Sequence, residues 1–250
     1  MTGASHPDVA VELSVVIPAY NEEDNLVPLL DQLMPVLSSL GRSYEVLLVD
    51  DGSTDHTAAV MTRLQEQYPS VRVIRHRGNH GLSAALDTGF KNVRGTIVAS
   101  LDADLQNDPA DLPLLLSKLD EADVAIGWRH ERNDPFVKRM SSKIANGIRN
   151  RVTHEQIHDT GCTLKVYRRE YLDKLKMFNG LHRFLPTLLK MEGARVVQVK
   201  VRHHPRLHGE AKYHLTNRLL GPFLDLFAVR WMQKRHLSAL WDEVPRAKWP

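Results

Sequence analysis

Asp102-Ala103-Asp104 is the segment of this sequence best suited to hold a cation. Alternate residues of an extended chain point the same way, so both carboxylates can face one ion while Ala103 leaves room between them. Gln106 adds an amide oxygen two residues later. Asp50-Asp51 and Glu22 follow apolar runs of the same kind. Carboxylates brought to one place repel each other unless a cation or hydrogen-bond donors sit among them. A hard divalent ion with oxygen ligands, Mg²⁺ or Mn²⁺ carrying a nucleotide diphosphate, fits such a set best. The competing reading is an acidic turn that caps a helix beginning at Pro109, but Asp108 already supplies that cap.

These residues need elements to position them. Apolar runs predict strands over 13–18, 44–49, 71–75, 96–101 and 123–127. Helical spacing predicts helices over 25–40, 54–67, 82–93 and 109–119. Strict alternation of this kind implies an α/β fold, Rossmann-like, with a mostly parallel sheet covered by helices on both faces. Right-handed crossovers then put the strand C-termini on one edge, where ligands bind. Glu22, Asp50-Asp51 and Asp102-Ala103-Asp104 all fall on that edge. After Gly127 the pattern loosens, with a helix over 138–152, strands over 163–167 and 195–202, and a helical stretch over 183–191. The expected division is a flexible N-terminus (1–12), one domain (13–213) and an amphipathic C-terminal helix with its tail (214–250).

The 250 residues are 42% hydrophobic and 25% charged, enough for one sizeable core. The net charge is only +3, but Lys, Arg and His concentrate in 129–151 and 195–235. That suits an anionic partner such as a diphosphate, a lipid phosphate or a membrane surface. Cys162 is the only cysteine, so no internal disulfide is possible, which fits a reducing compartment. No apolar stretch reaches the ~18 residues of a spanning helix. A cytoplasmic protein, peripheral at the inner face of the membrane, is the expectation. Neither Gly-x-Gly-x-x-Gly nor Gly-x-x-x-x-Gly-Lys-Ser/Thr occurs, so dinucleotide and P-loop readings lose their support. Arg72, Arg75 and Arg77 lack interleaved aromatic platforms, and no nucleic-acid partner is expected. His203 and His204 are adjacent on a strand and face opposite sides, which argues against a metal pair.

Seven motifs in order, from Val16-Ile17-Pro18-Ala19-Tyr20-Asn21-Glu22-Glu23 through Val49-Asp50-Asp51-Gly52-Ser53-Thr54-Asp55, Asn79-His80-Gly81-Leu82-Ser83-Ala84-Ala85-Leu86, Leu101-Asp102-Ala103-Asp104-Leu105-Gln106, Gly127-Trp128-Arg129 and Asp159-Thr160-Gly161-Cys162 to Arg206-Leu207-His208-Gly209-Glu210-Ala211-Lys212-Tyr213, carry a resemblance. The chain resembles family 2 inverting glycosyltransferases of the GT-A fold, in the polyprenyl-phosphate branch that includes dolichyl-phosphate mannose synthases and undecaprenyl-phosphate sugar transferases. The resemblance implies that Pro18, Tyr20, Glu22, Asp50, Asp51 and Asn79 hold the nucleotide. It puts Asp102, Ala103, Asp104 and Gln106 at the metal and diphosphate. It gives Arg129, Arg206 and Lys212 to the diphosphate or the acceptor phosphate. Many relatives carry Ser where this chain has Ala211, and many carry transmembrane hairpins after the domain.

The implied reaction is one in-line displacement of a nucleotide diphosphate, UDP or GDP, from the sugar's anomeric carbon. A phosphate acceptor is ionised near neutral pH and needs no strong base. A hydroxyl acceptor, the alternative, would need one, and Asp159 is then the candidate. Asp159-Thr160-Gly161 reads equally well as a turn. Leu215, Leu219, Phe223, Phe227 and Trp231 form an apolar stripe with Arg218, Arg230, Lys234 and Arg235 on its flanks. Such a helix packs on its own core, lies on a membrane, or docks on a membrane protein.

Overall fold

A computed structural model describes residues 10–129, 147–205 and 220–237. Its strands are β1 (Leu13–Ala19), β2 (Tyr44–Asp50), β3 (Val71–Arg75), β4 (Ile97–Ser100), β5 (Val124–Arg129), β6 (Lys165–Arg168) and β7 (Val196–Val201). Its helices are α1 (Leu26–Ser39), α2 (Thr57–Gln67), α3 (Leu82–Asn92), α4 (Leu112–Ser117), α5 (147–153 in its described part), α6 (Arg169–Leu172), α7 (Leu185–Met191) and α8 (Leu220–Arg235).

All seven strands form one sheet in the order β3-β2-β1-β4-β6-β5-β7. Side chains alternate across it. Val15 and Ile17 of β1 join the core under α1, α2 and α4, while Val16 joins the core under α3 and α7. Gly89 lets α3 lie close, because a Cβ there would fall 2.3 Å from Val16 Cγ1.

β6 runs antiparallel to both β4 and β5, against the expected direction of a βα repeat. Its reason is local. β5 ends and β6 begins on the same edge, so the intervening chain makes an excursion rather than a crossover. Every other strand keeps its C-terminus on that edge. The single helix expected over 109–119 is broken into a 3₁₀ turn at Pro109–Asp111, α4, and a second 3₁₀ turn at Lys118–Asp120. The Asp108 side chain caps the first turn by accepting from Ala110 N at 2.9 Å.

α8 docks by Leu226 and Val229 against Leu181, Phe184 and Leu188. The stripe read from the sequence faces the other way: Phe223, Leu224, Phe227 and Trp231 are 50%, 63%, 53% and 64% exposed. Leu215, Leu219 and Arg218 lie outside the described residues, as do residues 1–9 of the N-terminus and most of the expected 138–152 helix.

Candidate active site

The ends of β1 and β2 are bolted together. Asn21, at φ +54°, donates its backbone N–H to Ser53 Oγ (3.0 Å) and accepts Thr54 N–H on its side-chain oxygen (2.8 Å). Glu22 N–H donates to Thr57 Oγ1 (2.8 Å), and the Glu22 carboxylate accepts from Asn25 Nδ2 (2.6 Å). Beneath this rim Asp50 is fully buried. One of its oxygens accepts Ser53 N–H at 2.8 Å, and the other faces Arg75 Nε at 3.0 Å. Asp51 accepts the backbone N–H groups of His80 (3.0 Å) and Gly81 (2.7 Å), and His76 Nδ1 lies 2.7 Å away. His76 Nε2 meets Thr88 Oγ1 of α3 at 2.9 Å. Asp51 thereby shapes the turn 76–81 that leads into α3.

Between that turn and the rim lies an open cleft of about 670 Å³. Tyr20, Gly52, Ser53 and Thr54 line one side, and Arg75, His76, Arg77, Gly78 and Asn79 the other. Gly52 makes the close approach: its φ is +71°, and a Cβ would sit 2.4 Å from the Gly78 carbonyl carbon. Of the residues expected to hold the nucleotide, Tyr20 and Asn79 line the cleft. Pro18, Asp50 and Asp51 lie buried under it, and Glu22 is tied to Asn25. Arg75, His76 and Arg77 were not among the expected site residues. The rule that strand ends carry the site, applied to β3, would have found them.

β4 delivers the second half of the site. Ala103 and Leu105 join the core, which leaves Asp102 and Asp104 to share the other side. The Asp102 carboxyl is pushed up to about 6, by burial first and then by the Asp104 charge; Thr163, Lys165 and Arg129 act in the opposite direction. A buried Asp104 beside a half-buried Asp102 suits a hard cation, which would relieve both effects. Among the described residues no third His, Cys, Asp or Glu joins them as a metal-binding group. A cation would therefore take its remaining ligands from the Gln106 amide, diphosphate oxygens and water, which is how Mg²⁺ is ordinarily held in phosphate sites.

Arg129, at the end of β5, forks onto Asp159: Nε to Oδ2 at 2.7 Å and Nη2 to Oδ1 at 3.0 Å. Asp159 Oδ1 also accepts Gly161 N–H at 3.0 Å, so the turn reading holds for its geometry. Burial opposes the Arg129 charge, but the hydrogen bonds and charge of Asp159 outweigh it and hold the guanidinium above its usual range. Beside this pair Lys165 is buried, donating to the Cys162 carbonyl. Burial lowers its pKa, while Cys162, Asp102 and Asp159 favour its charge. Burial pushes the Cys162 thiol up to about 11, so it is an inert core thiol. Lys165 went unnoticed in the sequence, although a lysine inside the apolar run Leu164–Tyr167 is itself a signal. Arg206 and Lys212 lie outside the described residues. The chain leading to them reaches Pro205 with His204 N–H on the Gln106 carbonyl at 2.9 Å.

Residues 14–176 match the model of glycosyl transferase family 2. Dodecaprenyl-phosphate galacturonate synthase of Rhizobium johnstonii is 35% identical over 238 residues, covering 93% of this chain and 70% of the relative. Undecaprenyl-phosphate 4-deoxy-4-formamido-L-arabinose transferase of Edwardsiella ictaluri is 36% identical over 217 residues, covering 86% of this chain and 66% of the relative. The chain thus spans about two thirds of the length of these relatives. Among solved structures, glucosyl-3-phosphoglycerate synthase from Mycobacterium tuberculosis with Mn²⁺, UDP and phosphoglyceric acid superposes with a TM-score of 0.65 at 20% identity, over 89% of this chain and 78% of the synthase. The same synthase with Mg²⁺ and UDP gives 0.66 at 19% identity, over 89% and 79%. That likeness establishes the shared GT-A architecture. With the family model running through β1 to β6 and both sequence relatives above 30% identity, the chain belongs to glycosyltransferase family 2.

Proposed function

We propose that this enzyme transfers a sugar from a UDP- or GDP-linked donor to a polyprenyl phosphate by a metal-dependent inverting displacement. The observation that carries the donor half is that the cleft opens at the ends of β1, β2 and β3, while the Asp102–Asp104 pair follows β4, the strand next to β1. The cleft takes the nucleoside, with Tyr20 and Asn79 in its walls. Asp102 and Asp104, with Gln106 beside them, hold Mg²⁺ or Mn²⁺ against the diphosphate. A cation there supplies Lewis-acid stabilisation of the leaving group. The synthase of the same fold is solved with Mn²⁺ or Mg²⁺ and UDP, which fits that assignment.

The acceptor phosphate oxygen attacks the anomeric carbon, the bond to the diphosphate breaks, and the electron pair leaves with the nucleotide diphosphate. No proton need be taken from an ionised phosphate, and Asp159, engaged by Arg129, has its carboxylate already committed. This favours a phosphate acceptor over a hydroxyl. Both sequence relatives are named for polyprenyl-phosphate acceptors, which supports the same class here. Arg206 and Lys212 are the cations assigned to acceptor or diphosphate. No helix among the described residues is long and apolar enough to cross a membrane. The outward face of α8 would serve instead, laying Phe223, Phe227 and Trp231 into the lipid interface with Lys234 and Arg235 against anionic headgroups.

The test measures transfer from UDP- and GDP-sugars to undecaprenyl phosphate in anionic vesicles, with Mn²⁺, Mg²⁺ or chelator, together with vesicle flotation. Asp104→Asn should lose metal-dependent turnover, and Trp231→Glu should lose flotation and transfer while keeping nucleotide binding. Wild-type turnover in Asp104→Asn sinks the metal assignment. Unchanged flotation of Trp231→Glu sinks the membrane role of α8.

A further inference from the structure

β7 is fastened at both ends by the same device. At its start Arg195 N–H donates to Asp123 Oδ2 (2.9 Å), while Nε and Nη2 reach the two Asp123 oxygens at 3.0 and 3.1 Å. Just past its end, Arg202 N–H donates to Asp111 Oδ2 (2.7 Å), and Nε and Nη2 donate to Oδ1 at 3.0 and 2.9 Å. Arg202 Nη1 also pairs with Asp108 Oδ2 at 3.0 Å. Only the second clamp lies on the edge that carries the site. The next two residues extend it. His203 forms a β-bridge with Asn107 and brings Nδ1 to 3.1 Å from the Gln106 carbonyl. His204 N–H donates to that same carbonyl at 2.9 Å, and its Nε2 lies 3.3 Å from Asp108 Oδ2.

What this clamp holds is a strained segment. Leu105, between Asp104 and Gln106, has φ +62°, in the left-handed region that leucine rarely adopts. Such a conformation persists only where the surroundings over-determine it, and it gathers at functional sites. From inside, burial in the core fixes the Leu105 side chain. From outside, Arg202, His203 and His204 fix Gln106, Asn107, Asp108 and Asp111.

We infer that Arg202 is a positioning residue for the donor site. By gripping Asp108 and Asp111 it anchors the stretch after Leu105, and that anchor keeps Asp104 turned toward Asp102. Arg202 is half-exposed, so its ion pairs add little to global stability and its effect on the site separates from folding. The inference rests on the donor-site reading above.

The experiment compares Arg202→Met and Arg202→Lys with Arg195→Met, which removes the matching clamp at the remote end of the same strand. Mn²⁺ binding in the presence of UDP or GDP is followed by electron paramagnetic resonance, alongside metal-free melting temperatures. Arg202→Met should weaken Mn²⁺ binding about 10-fold, the lower end of the effect of losing a direct partner of a metal ligand, because Arg202 acts through Asp108 and Asp111. Arg202→Lys, which keeps the charge without the fork, should recover part of that loss, and Arg195→Met should bind as wild type. Wild-type affinity in Arg202→Met, or an equal loss in Arg195→Met, overturns the inference alone. A wild-type chain that binds Mn²⁺ with neither nucleotide overturns the donor-site reading and this inference with it.

Discussion

Asp159→Ala separates a structural carboxylate from a catalytic base. Asp159 and Arg129 have side chains only 5% and 13% exposed, and they share two hydrogen bonds in fork geometry. Removing the carboxylate strands a buried guanidinium, a change that ordinarily costs about 3–5 kcal/mol. Asp102 also favours the Arg129 charge and offsets part of this, so the lower end, about 3 kcal/mol, is expected. For a chain of this length each kcal/mol lowers the melting temperature by roughly 2–4 °C, giving a drop of roughly 6–12 °C. Replacing both partners, as Arg129→Met with Asp159→Leu, should restore most of it, because an apolar pair of similar volume leaves no charge uncompensated. Differential scanning calorimetry on the two single variants and the double variant closes the cycle. If Asp159→Ala melts within about 2 °C of wild type yet has no turnover, the pair is not structural and the base role regains its force. A double variant no more stable than Asp159→Ala would equally refute the reasoning.

Two further perturbations probe the donor half. Asp102 has a folded-state pKa near 6 against an ordinary 3.8, so below pH 6 the metal-free native state holds a proton that the unfolded chain lacks. Its contribution to stability therefore rises as pH falls from 7.5 to 5, and saturating Mn²⁺ with nucleotide should abolish that rise. Melting temperatures with and without ligand check this, with Asp102→Asn as reference; identical pH slopes for wild type and Asp102→Asn count against the shift. Gly52→Ala forces a Cβ into the Gly78 backbone and should cancel the nucleotide-induced rise in melting temperature. Gly41→Ala, at φ +63° with nothing within 4 Å, shares the backbone strain of about 1 kcal/mol and should leave that rise intact.

The sequence made the parallel half of the sheet and the site's edge legible, because apolar runs and helical spacing are local. Strand direction is not. The run at Leu164–Tyr167 has the same composition as a parallel strand, and only its entry from the site edge makes β6 antiparallel. Partners distant in sequence were also invisible. Asp50 and Asp51 read as open ligands until Arg75 supplied a counter-charge, and His76, His80 and Gly81 supplied hydrogen-bond partners, from 25 to 30 positions away. Asp159 and Arg129 are likewise 30 residues apart. For α8, the stripe of Phe223, Phe227 and Trp231 was visible. That Leu226 and Val229 do the packing depended on what α7 and its leading turn present.

Charge pairing then narrows how the acceptor is met. A basic second half suggested many cations ready for phosphate, but most described arginines around the sheet already have carboxylates. Arg72 faces Glu45, Arg75 Asp50, Arg129 Asp159, Arg195 Asp123, and Arg202 both Asp108 and Asp111. Moving any of them to a phosphate would break an existing pair, and for Arg129 that would leave Asp159 buried and charged. Arg77 stands in the wall of the cleft and has no ion-pair partner among the described residues. Within the proposed function the acceptor is therefore given to Arg206 and Lys212 before Arg129, whose charge holds Asp159 and, at longer range, favours the ionised form of Asp102.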